Sequence, residues 1–457
     1  MDRTLMEGYN RAMTSILLLI GAVVFIVLAT TRLRLHPFLA LLFAAFGYGL
    51  LSPNLTAGEV VEAVNAGFGG TIGYIGIVIL AGAIIGVFLE KSGGALRLAE
   101  AILRWTGPKR VPHTMACVGY VVSIPVFCDS AFVILSPLGR ALATRAGVST
   151  ASAAIALGLG LYATHTMVPP TPGPIAAAGI LEADLGRVIV WGLLVSVVTM
   201  VAGLVYALIA GRNVTPANAE EHPPPEAKGE SEGPSALHAA VPILMPLVLI
   251  VLRSVADYPT APFGEGRVAS FLLFLGQPVV ALLIGVLCAF TLPRRPTRAL
   301  FSGDGWVGEG VLAAATIIVV TGAGGAFGKV LQASGIGEAV GAGLGDLQLG
   351  ILLPLVIAAG LKTAQGSSTV AIITTAGILA PLVGPLGLEG ETAKALCVVA
   401  IGAGAMVVSH ANDSYFWVVT QCTGLSVRQG YTLHTVGTLV QGAVAAVLVW
   451  GLALVVA

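Results

Sequence analysis

The fold class that the sequence predicts is an all-α polytopic membrane protein of two inverted repeats. Each repeat would hold about five transmembrane helices, a re-entrant hairpin and a broken helix. Composition, the spacing of the apolar runs and a likeness between the two halves predict it. Of 457 residues, 56% are hydrophobic and 10% charged, with a mean hydropathy of +0.94. Soluble domains carry about 25% charged residues, so an aqueous fold is excluded. Lys+Arg and Asp+Glu balance at 23 each, which leaves no basic footprint for a nucleic acid. The five cysteines include no CxxC pair, so neither a disulfide framework nor a zinc site is indicated and no metal is expected. The 59 glycines sit inside apolar runs, where they let membrane helices approach closely or break.

A helix needs about 20 apolar residues to cross the hydrocarbon core. Uninterrupted runs predict spans near 13–29, 37–51, 71–89, 188–210, 239–252, 270–292, 311–331 and 433–457. The first run has no small-residue cleavage site after it and is expected to be retained. Four further apolar segments, 114–143, 151–181, 351–386 and 396–424, are interrupted by Pro, Gly and polar residues. Irregular backbone at membrane depth is tolerated only where it is buried in protein or lines a cavity, so the functional site is expected in these four.

Residues 212–238 (RNVTPANAEEHPPPEAKGESEGPSALH) have no apolar period and read as a disordered linker. They divide the chain into a first repeat, 1–211, and a second, 239–457. Residues 81–93, AGAIIGVFLEKSG, match 323–335, AGGAFGKVLQASG, at six of thirteen positions. In each half an interrupted segment follows, then a second interrupted segment, then an intact helix. If 114–143 and 351–386 are re-entrant, ten crossings place 15 of the 23 basic residues on one side. By the positive-inside rule that side is the cytoplasm, the linker is cytoplasmic, and the halves are inverted. Inverted repeats with broken helices meeting near the midplane are the signature of secondary transporters.

The first interrupted segment holds Asp129 and Ser130 among apolar residues. A carboxyl at membrane depth costs about 2.5–3.5 kcal/mol on insertion scales, which favours a functional group over a simple hairpin-tip cap. The second holds His165 and the run VPPTPGP around Pro170 and Thr171. Proline removes a helix N–H and clashes with the preceding turn, so the helix must break there. The next half-helix then offers an N-terminus that attracts a carboxylate. In the third, Lys362 precedes Gln365, Gly366, Ser367, Ser368 and Thr369, a hydroxyl- and amide-rich turn suited to a hydroxylated ligand or a cation. Lys362 itself could pair with a substrate carboxylate or snorkel to the interface. The fourth holds His410, Asn412, Asp413 and Ser414. His410 and Asp413 would share a face if helical. Asp129 and Asp413 are the expected proton carriers, with His410 and His165 as further coupling candidates.

These stretches together resemble the gluconate permease (gluconate:proton symporter, GntP) family of the ion transporter superfamily. The matching runs are IPVFCDSAFVILSPL, H-x-x-VPPTPGPIAAAGIL, AQGSSTVAIITTAGI and SHANDSYFW…GLSVRQ, supported by GFGGTIG (67–73) and TGAGGAF (321–327). They lie in family order over nearly the whole chain outside the linker. The resemblance implies proton-coupled uptake of gluconate or a related small hydroxy-carboxylate through a bacterial inner membrane. It also implies a homodimer with scaffold and transport domains, working as an elevator, and no cofactor beyond the coupling proton. The family usually has two Phe and a Glu where this chain has Phe127, Cys128 and Asp129, and His where it has Thr171. Both departures fall at the expected site.

Three other readings compete with proton symport. Sodium could replace the proton at the same hairpin tips. An intramembrane hydrolase would need a motif such as H-E-x-x-H or G-x-S-x-G, and the chain has neither. A passive channel would make no use of inverted halves.

Overall fold

The computed structural model describes residues 3–106, 110–216, 233–256, 263–264, 266–336, 350–410 and 413–456. It is all-helical, with no strand among the described residues. Most of the linker, 217–232, and Asn412 lie outside them.

Two long helices, Ala57–Lys91 and Trp306–Ala333, pack against each other along much of their length. The first starts with a capping box, in which the Thr56 hydroxyl and the Glu59 carboxylate satisfy each other's backbone N–H. It bends by 45° between Ala57–Tyr74 and Gly76–Lys91, so the expected 71–89 span is the second limb of a longer helix. The expected 270–292 span is also two pieces, Arg267–Leu275 and Pro278–Ala289, bent by 68°. Gly276-Gln277-Pro278 explains that break, because proline cannot donate the N–H that a continuous helix needs. The helix Gly94–Thr106 is too polar for a span, and its Arg97 pairs with Glu100 at 3.0 Å. Five described helices are long and apolar enough to cross a membrane alone, or seven if each bent pair counts as one span.

Four segments are broken where the sequence predicts. The first hairpin joins Val111–Val122 to Cys128–Ala146, and the second joins Leu352–Gln365 to Ser368–Leu379. The first broken helix is Thr150–His165 and Pro172–Ile180, and the second is Glu391–Ala405 and Ser414–Thr423. Arg110, at the start of the first hairpin, and Gly147, just past its end, line one cavity of about 520 Å³. Arg212 lines it too, so the hairpin returns to the end of the molecule from which the linker leaves. Glu182 lines a second cavity of about 960 Å³. The two cavities are separated along Leu185–Ala210, a 26-residue helix about 39 Å long.

Glycines set how closely the long helices meet the broken ones. A Cβ on Gly82 would stand 3.2 Å from the Pro170 carbonyl, and one on Gly86 would stand 2.7 Å from that of Pro125. The positions that match them in the self-comparison are Gly324 and Gly328. There a Cβ would meet Ile373 Cγ2 at 2.5 Å and the Gly377 carbonyl at 2.8 Å. Each long helix therefore carries a small-xxx-small strip that presses on backbone of a broken element. Gly86→Leu should lower thermal stability by about 1–3 kcal/mol through overpacking. Gly73, whose Cβ would meet nothing within 4 Å, should tolerate Leu. Melting both variants in detergent checks this, and equal midpoints would show that the strip is not tightly packed.

Candidate functional site

The second hairpin and the second helix break meet in a buried ion pair. Lys362, in the last turn of Leu352–Gln365, is 0% exposed. Its Nζ lies 2.6 Å from Asp413 Oδ2 and also donates to the Gly366 carbonyl. Gly366 ends the helix at φ 86°, a left-handed conformation that a residue without Cβ adopts freely. Burial at this depth rules out snorkelling to the interface.

Asp413 is N-cap of Ser414–Thr423 and accepts from the Tyr415 N–H at 3.1 Å. The Ser409 hydroxyl donates to its other oxygen, the one facing Lys362. Ser409 is itself fixed by the last helix: its N–H donates to Thr438 Oγ1 at 3.1 Å, and its carbonyl accepts from Thr435. Val408, just before it, sits at φ 55°. A β-branched residue there costs of order 1–3 kcal/mol and persists only where its surroundings enforce it. Residues 406–410 and Asp413 are not helical, so His410 and Asp413 do not share a helix face as the spacing suggests. A turn links them through their backbones, Asp413 N–H to His410 O at 2.8 Å. The His410 ring instead donates to the Thr363 carbonyl at 2.9 Å, tying the break to the hairpin tip.

The first half supplies an aromatic wall and a second carboxylate. Tyr162 and Tyr415 stack with centroids 5.2 Å apart, and Lys362 Nζ lies 6.0 Å from the Tyr162 ring centre. The Tyr415 hydroxyl donates to the Gly158 carbonyl at 2.9 Å. His165, 7% exposed, stacks on Tyr162 and leans on Phe127. Asp129 lies in the first turn of Cys128–Ala146, whose N-cap is Phe127. Its Oδ1 is buried with no hydrogen-bond partner among the described residues. Asp413 and Lys362 both act on it electrostatically.

The remaining sequence-predicted residues spread around this centre. Ser367 caps Ser368–Leu379 by accepting from the Val370 N–H at 3.3 Å and is exposed. Ser368 is buried, Thr369 and Ser130 are half-buried, and Ser414 is exposed. The Gln365 side chain and all of Asn412 fall outside the described residues. Pro170 and Thr171 make their contacts elsewhere: the Pro170 carbonyl faces Gly82, and the Thr171 hydroxyl donates to Val168 O at 2.5 Å. None of the predicted site residues lines the 960 Å³ cavity, which opens between the long helices and the far ends of the broken elements. Sequence reasoning missed Tyr162, Tyr415, Ser409 and His434. Only His434 carried a usable signal, as an ionisable residue inside an apolar run.

The sequence matches the GntP family permeases over residues 13–456. The chain belongs to that family. It is 34% identical to a gluconate permease of Pseudomonas aeruginosa, over 91% of this chain and 92% of that protein. It is 33% identical to the inner membrane permease YgbN of Escherichia coli, over 96% of this chain and 98% of that protein. Its fold is similar to that of the Alcanivorax borkumensis YdaH transporter, whose crystal structure has an unusual topology. The TM-score is 0.63 over 92% of this chain and 98% of that one, at 18% identity. Membership in the permease family makes the protein a membrane transporter and not an enzyme.

Within this permease, breaking the buried pair from one side strands a charge. Lys362→Met should destabilise by about 3–5 kcal/mol, whereas Lys362→Met with Asp413→Leu should recover most of that loss. Thermal unfolding of the wild type, the two single variants and the double variant gives the coupling energy. Additive losses would mean that the two groups do not sense each other.

Proposed function

We propose that the protein is a proton-coupled symporter of gluconate or a related sugar acid in a bacterial inner membrane. The observation that carries this reading is the buried Lys362–Asp413 pair. The pair is neutral as a unit. A substrate carboxylate can take Lys362 as its partner only if the charge on Asp413 is removed, and a proton removes it. One proton and one carboxylate together return the site to neutrality, which is the charge balance of a symporter. Asp129, with an unpartnered oxygen beside the pair, is a second group able to hold a proton. Around them Ser367, Ser368 and Thr369 offer hydroxyls for those of a sugar acid. The gluconate permease of Pseudomonas aeruginosa, at 34% identity, supports the same substrate class.

The elevator motion and the homodimer that the family resemblance implies belong to this proposal. All four broken elements and the last helix contribute to one unit around the pair. That unit meets the long helices along the glycine strips, a smooth surface for movement as a body. The orientation is part of it too: residues 212–238 are cytoplasmic and both termini periplasmic.

Inside-out and right-side-out vesicles supplied with external radiolabelled gluconate test the coupling. Uptake should follow an inwardly directed proton gradient in sodium-free buffer and collapse with a protonophore. Asp413→Asn should abolish accumulation, and Asp129→Asn should weaken or abolish it while Asp129→Glu retains it. Accumulation that needs sodium and ignores the proton gradient would overturn proton coupling. Ser367→Ala should weaken gluconate affinity by about 0.5–1.5 kcal/mol, roughly two- to twelve-fold, and wild-type affinity would remove the second hairpin tip from the site. For orientation, a cysteine placed in the linker should resist membrane-impermeant reagents in intact cells. Labelling there would reverse the topology.

A further inference from the structure

His434 is a fully buried imidazole that the reading above does not use. It lies in the last helix, Val427–Val456, at the one place where that helix departs from α geometry, the π-turn Tyr431–Thr435. Single π-turns inside helices are rare and gather at functional sites. Here the wider turn sets the imidazole among three aromatic rings, with centroids 5.3 Å from Tyr415, 6.3 Å from Phe416 and 6.4 Å from Tyr162. The Tyr206 hydroxyl donates to the Thr432 carbonyl of the same turn, which holds it against Leu185–Ala210.

Hydrogen-bond bookkeeping then assigns the tautomer. Asp413, paired with an ammonium, is a carboxylate and can only accept. The single hydroxyl proton of Ser409 therefore goes to Asp413. His434 Nε2 lies 3.1 Å from the same Ser409 oxygen, which is left with lone pairs alone, so Nε2 must carry the ring proton. Nδ1 is then a bare lone pair, and it is buried with no partner among the described residues. Two independent observations, the π-turn and this orphaned nitrogen, point to one group. The charges that act on it are Asp413, from the helix break, and Lys362, from the second hairpin. The titratable rings in contact are Tyr162 of the first broken helix and Tyr415, with His165 stacked on Tyr162.

We propose that His434 is a proton-relay residue, taking a proton at Nδ1 and delivering a proton to Asp413 through Ser409. The step balances. A proton adds to Nδ1; the Nε2 proton moves to Ser409 Oγ; and the former Ser409 proton moves to Asp413 Oδ2. His434 ends neutral with its proton on Nδ1, Ser409 is a hydroxyl again, and Asp413 is a neutral acid. Lys362 keeps its charge and loses its counter-ion, so it is free for a carboxylate. This inference rests on Asp413 as the proton-carrying group.

The test uses the full-length protein in proteoliposomes with radiolabelled gluconate. His434→Gln keeps a donor for Ser409 and cannot take a proton, and Ser409→Ala cuts the same chain at its middle. Both should lose accumulation driven by a pH gradient, and the uptake that remains should no longer vary with pH. If His434→Gln accumulates gluconate with the wild-type pH profile while Asp413→Asn does not, the relay is overturned and the role of Asp413 stands. If Asp413→Asn accumulates as well, both readings fall. A measurement on the ligand-free wild type decides the case if a variant does not fold or gluconate is not carried. Nitrogen-15 histidine NMR, with His434 assigned by its ring contact to Tyr415, should show Nδ1 bare and Nε2 protonated at mildly alkaline pH. Nδ1 should gain a proton on acidification. A proton on Nδ1 from the start, or a ring that never titrates, overturns the relay.

Discussion

Burying Lys362 and Asp413 together away from water constrains everything built around them. Moving each ion out of water costs several kcal/mol even after relaxation, and mutual attraction alone does not repay it. The remaining donors and acceptors of both groups must also be satisfied. An intact membrane helix cannot help, because its N–H and C=O groups bond to one another. Broken helices can. The Gly366 carbonyl reaches Lys362 because the hairpin turns there, and the Tyr415 N–H reaches Asp413 because a new helix starts there. The interruptions in the apolar sequence are thus the solvent of the ion pair.

The two halves contribute unequally to this arrangement. Both charges of the pair come from the second half, whereas the first supplies Asp129 and the Tyr162–His165 wall. Beyond the packing of the long helices, specific polar contacts join them. Tyr415 donates to the Gly158 carbonyl, and Gln441 reaches the carbonyls of Leu159 and Thr199 from the last helix. Those carbonyls belong to helices that also serve their own backbones, so each accepts through a second lone pair. Buried hydrogen bonds of this kind fix a unique register between elements that apolar packing alone would leave free to slide.

Much of this was legible in the sequence wherever the signal is local. A proline run cannot be helical, a Gly-Ser-Ser turn splits apolar runs visibly, and composition excludes an aqueous fold. The four broken segments appear where the residues predict them. Local signals failed where the decision is made by tertiary partners. Arg267–Leu275 and Pro278–Ala289 read as one apolar run, because hydropathy does not sense the bend at Gly276–Pro278. His410 and Asp413 are spaced for one helix face, but backbone irregularity separates them. Lys362 and Asp413 are 51 residues apart, and no periodicity links a lysine before one turn to an aspartate after another. The sequence offered Lys362 two roles, and its 0% exposure removes the one at the interface.

The ion pair and the glycine strips divide the molecule by the kind of contact each part can tolerate. Around the pair, every contact is directional, and a shift of an ångström would leave a charge or an N–H without its partner. Along the strips, Gly82, Gly86, Gly324 and Gly328 meet backbone and aliphatic carbon. Contacts of that type are non-directional and can be exchanged for equivalent ones in a new register at little cost. The elevator motion proposed above, in which the site stays assembled while facing first one side of the membrane and then the other, would need this partition. Its charges would have to travel with the groups that neutralise them. The residues that hold Lys362 and Asp413 all belong to the broken elements and the last helix, none to the two long helices. A rigid shift of that unit along the glycine strips therefore preserves the ion pair, its capped helix ends and the Ser409–His434 contact, and re-forms only van der Waals surface.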